Sequence, residues 1–301
     1  MNKTLLAYLL IVGISGTAGA GTGVVLKRTI GPVDEKYPAG FSPEEYRDPN
    51  IQTNVDKYKS TKSLSGMSDS EIVNVGLALY KEYDNSYWVG SGDADAGITV
   101  QTVRNGQIKR TVGGVTTYFE EQISNGMIGV AKRTIQDTSK ETIDLYTGNP
   151  NSATVADYGG GPQTFDRDGF RSYLGKVPED MFIYVISDKT TKSSSLKTLG
   201  NGDIEINLEL DTNISTFYYK IQMQNISGLS NYPPFTKVNH TYTFSKDMVL
   251  KKLYVDENYT ATKEGIPVPA ATHNIITYYY YAGGEREIPQ INEPFDYTVE
   301  E

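Results

Sequence analysis

The chain has 301 residues, 38% of them hydrophobic, and a formal net charge of −9 from 28 Lys and Arg against 37 Asp and Glu. That length is enough for one large core or two small ones. The acidic balance is a poor electrostatic match to nucleic-acid phosphates and to anionic lipid surfaces, so nucleic acid is set aside as a partner.

The chain contains no cysteine. Disulfides, zinc–thiolate sites, iron–sulfur clusters, a cysteine nucleophile and a lipid-modified cysteine are all excluded. Tyrosine outnumbers phenylalanine 23 to 9, with one Trp. A ring with a polar tip suits half-exposed sheet faces.

At the start, residues 5–26 carry no charge and lie between Lys3 and Lys27-Arg28. Leu5 to Ile14 reads as the apolar region of a signal peptide, with Ala18-Gly19-Ala20 as its cleavage site. The uncharged span also reaches the ~20 residues of a membrane-crossing helix, although its glycines weaken such a helix. Lys27-Arg28 beyond the span opposes the positive-inside rule for an outward-facing domain. Residues 1–26 are therefore a signal peptide or an N-terminal membrane anchor. In both cases the main domain is extracytoplasmic, either secreted or held at the outer face of the cytoplasmic membrane.

Residues 27–66 read as a flexible tether, because Pro32, Pro38, Pro43 and Pro49 recur among charges with little apolar periodicity. Tyr37, Phe41 and Tyr46 are the contact points if part of it lies against the domain. The domain proper spans residues 67–301. Ser68-Asp69-Ser70-Glu71 fits a capping box. Ile72, Val75, Gly76, Leu79, Tyr80 and Tyr83 follow at the spacing of one apolar helix face, which predicts a helix ending near Asp84-Asn85.

Strands and turns follow. Asn105-Gly106 predicts a hairpin between residues 98–104 and 107–112, and Asn125-Gly126 a second one between 115–123 and 127–136. Residues 142–146 form a short strand, and 165–174 with 178–182 a helical insert or ordered loop. Residues 183–186 and 204–210 resume the strands across a polar loop. Tyrosine-rich strands are expected at 217–223, 238–244, 249–255 and 274–281. No fixed-period repeat points to a solenoid or propeller.

The order of elements ends in Thr241-Tyr242-Thr243-Phe244-Ser245-Lys246-Asp247, then Leu250-Lys251-Lys252-Leu253-Tyr254-Val255-Asp256, and closes on Glu287-Ile288-Pro289 and Glu293-Pro294-Phe295. This resembles the LolA-like superfamily of envelope lipid- and lipoprotein-binding proteins, over about residues 67–297. The resemblance implies an α+β, mainly β fold, a strongly curved antiparallel half-barrel with a helix on its concave face. It carries over no functional residue.

An apolar-ligand site in that fold lies between the sheet and the helix. The candidate lining is Ile72, Val75, Leu79, Tyr83, Trp88, Phe119, Ile128, Phe217, Tyr219, Ile221, Tyr242, Phe244, Tyr278 and Tyr280. Alternate strand residues point to opposite faces, so at best half of these share one cavity, and any one can instead fill a closed core.

His240 and His273 show no metal-ligand spacing. Asp93-Ala94-Asp95 and Asp166-Arg167-Asp168-Gly169 do not complete a calcium loop. Gly159-Gly160-Gly161 lacks the Lys-[Ser/Thr] of a phosphate loop, and no G-x-S-x-G is present. The expected function is thus non-enzymatic, without cofactor or metal. It is binding of a lipid or acylated ligand, as carrier or sensor, with membrane contact through the N-terminal segment if that segment is uncleaved. The competing reading is a surface-displayed protein- or glycan-interaction domain with a filled core.

Overall fold

The computed structural model describes residue 37 and residues 41–95, 100–126, 129–149, 157–281 and 286–299. The expected signal peptide or anchor over residues 1–26 lies outside the described residues. Among the described residues no helix is long and apolar enough to cross a membrane.

Among the described residues there are four α-helices: α1 (Ile51–Thr61), α2 (Asp69–Lys81), α3 (Arg167–Leu174) and α4 (Phe217–Ser227). The strands are β1 (Ser86–Asp95), β2 (Val100–Val112), β3 (Val115–Asn125), β4 (Val130–Asp137), β5 (Thr142–Thr147) and β6 (Gln163–Asp166). They continue with β7 (Thr191–Thr198), β8 (Ile204–Leu210), β9 (Phe235–Phe244), β10 (Leu250–Lys263) and β11 (Ile266–Tyr281). All eleven form one antiparallel sheet in the order β6-β5-β4-β3-β2-β1-β11-β10-β9-β8-β7, which does not close.

Helix α2 forms as its sequence dictates. Ser68 Oγ accepts the Glu71 N–H, and the Glu71 carboxylate accepts the Ser68 N–H at 2.9 Å. Two otherwise orphaned donors at the helix start are thereby satisfied. Its buried stripe of Ile72, Val75, Gly76 and Tyr80 packs in the main core with Leu208, Tyr242, Phe244 and Tyr279. The Tyr80 hydroxyl donates to the Tyr87 carbonyl at 2.9 Å and the Tyr280 carbonyl at 3.1 Å, fixing the helix to the β1–β11 seam.

Strand alternation divides the sheet into two faces. Tyr242 opposes Leu253, Val255 opposes Ile275, Trp88 opposes Tyr279 and pairs on its other side with Gln107, and Gln107 opposes Glu120. These residues share the face on which the helices sit. The opposite face over β1–β4 carries Tyr87, Val89, Ile108 and Phe119, covered by the C-terminal segment through Phe295, Tyr297 and Ile288. Beneath that segment Arg133 and Glu121 form an ion pair, both almost fully buried. Tyr297 and Tyr158 hydroxyls donate to Glu121 at 2.8 and 3.2 Å, and Arg133 donates to the Ile291 carbonyl.

Three expectations are corrected. Asn105-Gly106 is not a turn. Strand β2 runs straight through it, and the reversal falls at Gly113-Gly114, where φ is +59° and +82°. Gly106 is needed for another reason, since a Cβ there would overlap the Phe295 ring of the C-terminal segment. Residues 217–223 are helical rather than a strand. Their aromatic content reads as β, yet Tyr219, Met223 and Ile226 recur at helical spacing, and Gly228 ends the helix at φ +62°. Residues 183–186 are irregular chain rather than a strand.

Part of the expected tether, residues 27–66, is ordered. Helix α1 buries Val55 and Tyr58 in the main core, and Tyr37 and Phe41 pack on Phe217 with ring centroids 5.0 and 5.5 Å away. Residues 27–36 and 38–40 lie outside the described residues.

Candidate functional site

Between α3 and β7 the chain crosses the concave face as a strap, residues 178–187. Its near end is bonded to the sheet: Gln107 Nε2 donates to the Pro178 carbonyl at 3.0 Å, and the Glu179 N–H donates to Gln136 Oε1 at 3.1 Å. In the middle, the Tyr184 hydroxyl donates to Glu257 Oε1 on β10 at 2.6 Å. At the far end Val185 N–H donates to the Ser215 carbonyl at 3.0 Å, and Asn74 of α2 donates to the Ile186 carbonyl at 2.9 Å. Met181, where the strap leaves its 3-10 turn, has φ 62° and ψ −46°, a conformation that L-residues adopt only under constraint.

The strap, α4 and the sheet line a half-open cavity of about 220 Å³. One part of its wall is apolar and aromatic. Trp88, Leu253, Val255 and Ile275 come from the sheet, Met181 and Phe182 from the strap, and Tyr219, Met223 and Ile226 from one face of α4. The other part is polar but largely uncharged, with Gln101, Asn105, Gln122 and Ser124 from β2 and β3. At this side Lys176 and Glu120 neutralise one another at 2.6 Å, and Gln107 Nε2 also donates to Glu120 at 2.7 Å.

Burial pushes the Tyr184, Tyr219 and Tyr242 hydroxyls well above their ordinary pKa, with the Glu257 charge adding to it. The aromatic wall therefore presents neutral hydroxyls at physiological pH. His240 lies fully buried in β9, with Nδ1 3.0 Å from the Tyr242 hydroxyl and Nε2 3.8 Å from Glu257. Among the described residues no group of three or more His, Cys, Asp or Glu is placed to hold a metal ion. Asp166 serves as the N-cap of α3, accepting the Gly169 N–H at 2.6 Å.

Of the residues expected to line a site, the structure brings Trp88, Tyr219 and Tyr242 to this cavity. Ile72, Val75 and Phe244 are buried in the core beneath α2, and Leu79 and Tyr83 pack against that core from the side. Phe217 belongs to the Tyr37–Phe41 cluster, and Ile221 is half-buried on α4. Phe119 and Tyr280 lie on the other face of the sheet. Phe119 is buried there and Tyr280 stacks on Tyr87 at 4.5 Å, while Tyr278 pairs with Val89 of that same face. Ile128 lies outside the described residues.

Sequence reasoning missed Met181, Tyr184, Met223, Leu253, Val255 and Glu257. The alternation of Leu253, Val255 and Glu257 and the helical spacing of Tyr219, Met223 and Ile226 were the available signals. The strap residues carried none.

An open antiparallel sheet with helices seated on one face is the arrangement that the LolA-like resemblance implied. No protein-family model matches the chain, and no curated protein does. Among solved structures, LprF from Mycobacterium bovis aligns with 75% of this chain and 97% of its own, at 8% identity and a TM-score of 0.36. A porin-like protein from Bacteroides uniformis aligns with 67% of this chain and 97% of its own, at 13% identity and a TM-score of 0.21. A putative outer membrane lipoprotein-sorting protein domain from Vibrio parahaemolyticus aligns with 72% and 94%, at 10% identity and a TM-score of 0.23.

Proposed function

We propose that the chain is a non-enzymatic, extracytoplasmic protein that holds one apolar chain of a lipid or acylated ligand between the strap, α4 and the concave sheet. The observation that carries this reading is the half-open cavity of about 220 Å³ with an aromatic and aliphatic wall. An apolar cavity of about 150 Å³ is already enough to bind benzene. Burying apolar surface contributes about 25 cal/mol per Å², so one chain gains affinity without a dedicated polar contact. The volume suits a single chain or its end, rather than both chains of a diacyl lipid.

Trp88 is the only tryptophan and sits in the cavity wall, so its fluorescence reports occupancy directly. Titration with a single-chain amphiphile is expected to give a saturable change at one ligand per protein. Met223→Arg, which places a charge on the half-exposed α4 wall, is expected to weaken binding by at least about tenfold, since an unpaired charge is costly in an apolar site. Unchanged binding by that variant, with the fold intact, overturns the reading.

A further inference from the structure

Across the strap lies a second cavity of about 580 Å³, whose wall includes the same Phe182, Tyr184 and Ile186. One stretch of chain thus separates the apolar cavity from this cleft. The cleft differs in chemistry. It carries the cations Arg47, Lys81 and Arg171 and the acids Glu44, Asp48 and Asp180.

The acids are already engaged by the protein. Glu44 accepts from Arg47 Nε and from the Tyr218 hydroxyl. Asp48 accepts the Asn50 N–H at 2.8 Å and faces Asn74 Nδ2 at 3.4 Å. Asp180 accepts the Val177 N–H at 3.1 Å and Arg171 Nη2 at 3.2 Å.

The cations retain capacity. A guanidinium offers five N–H donors and an ammonium three. Among the described residues Arg47 spends its Nε on Glu44 and lies over the Tyr218 ring at 5.8 Å, Arg171 spends one Nη2, and the Lys81 ammonium meets no acceptor. Lys81 and Arg47 are both exposed at the cleft, where an anion from solution can reach them. The cleft balances three cations against three acids, but it is the acids whose capacity is taken up within the protein.

We propose that the cleft is a subsite for an anionic oxygen group, phosphate or carboxylate, held by Lys81, Arg171 and Arg47 beside the apolar cavity. The shared strap wall places a charged head within one thickness of chain from an apolar tail. The proposal rests on the apolar-chain reading only for the source of the anion, which is either the head of the bound amphiphile or a free anion.

The test compares dodecyl phosphate with the uncharged dodecyl maltoside by Trp88 fluorescence, and inorganic phosphate by calorimetry, on the full chain and on its Lys81→Gln and Lys81→Arg variants. A charge-assisted contact predicts that the full chain prefers dodecyl phosphate by about tenfold. Lys81→Gln is expected to lose most of that preference while binding dodecyl maltoside unchanged, and Lys81→Arg to keep it. A preference that survives Lys81→Gln overturns the proposal, as does the absence of any binding of dodecyl phosphate and inorganic phosphate alike. Lys81-dependent binding of inorganic phosphate without either amphiphile entering the Trp88 cavity upholds the anion subsite, assigns it to a free anion, and defeats the apolar-chain reading instead.

Discussion

The Tyr184 hydroxyl donates a 2.6 Å hydrogen bond to Glu257 Oε1, tying the strap to a carboxylate that is fully buried in the concave sheet. A buried carboxylate that loses a donor bears the cost of its own desolvation. Tyr184→Phe is therefore expected to destabilise the protein by about 1.5–3 kcal/mol, the range for hydrogen bonds to charged groups. Denaturant unfolding measures the loss. Hydrogen exchange should show residues 181–186 opening more often than in the parent.

Helix α2 lies close over the sheet because Gly76 has no side chain, and a Cβ there would overlap the Phe244 ring. Two effects of Gly76→Ala oppose one another. Ala is favoured over Gly in a helix interior by about 1 kcal/mol. Overpacking a core costs about 1–3 kcal/mol, and the Phe244 ring that the added Cβ would overlap is fully buried. The clash is expected to win, giving a lower unfolding midpoint in spite of the better helix former.

The Arg133–Glu121 pair sits beneath the C-terminal segment, with both side chains almost fully buried. Removing one partner of such a pair strands a buried charge, at about 3–5 kcal/mol. Arg133→Met is expected to fall in that range, and to loosen the C-terminal segment that Arg133 holds through the Ile291 carbonyl. Adding Glu121→Gln removes the stranded charge, so the double variant should recover part of the loss. Equal stability of the single and double variants would contradict this account.

Alkali should act through the tyrosines. Burial holds Tyr80, Tyr184, Tyr219 and Tyr242 well above the ordinary phenol range, and burial with the Glu44 hydrogen bond pushes Tyr218 up to about 12. In the unfolded chain a tyrosine ionises near pH 10. The folded pKa is thus the higher one, so the stabilisation is complete below about pH 10 and lost as the pH rises through 12. Tyrosinate absorbance should show a group of phenols that ionise only as circular dichroism reports unfolding. All phenols titrating near pH 10 with the fold intact would contradict it.

How much of this was legible depends on where the information lies. The capping box at Ser68 and Glu71 and the spacing of Ile72, Val75, Leu79 and Tyr80 are local signals, and α2 follows them. Strand β3 begins at Val115 as expected and runs two residues beyond the expected end at 123, through Asn125. Gly106 misled because its glycine answers to Phe295, far away in sequence, and not to a turn. Phe217–Ser227 misled because aromatic content masked a helical spacing whose partners are the strap and β9. Trp88, Tyr219 and Tyr242 reached the cavity, whereas Phe119 and Tyr280 lie on the opposite face, because face assignment depends on register across the sheet. The strap is irregular chain held by non-local bonds to Ser215, Glu257 and Asn74, and no sequence period encodes it.

Native mass spectrometry of the full chain purified from a bacterial host, with organic extraction of whatever is bound, shows whether the cavity holds an apolar chain. An added mass close to one single-chain amphiphile per protein is expected, absent from Met223→Arg. An apo mass throughout, together with Trp88 fluorescence indifferent to added single-chain amphiphiles, would contradict it.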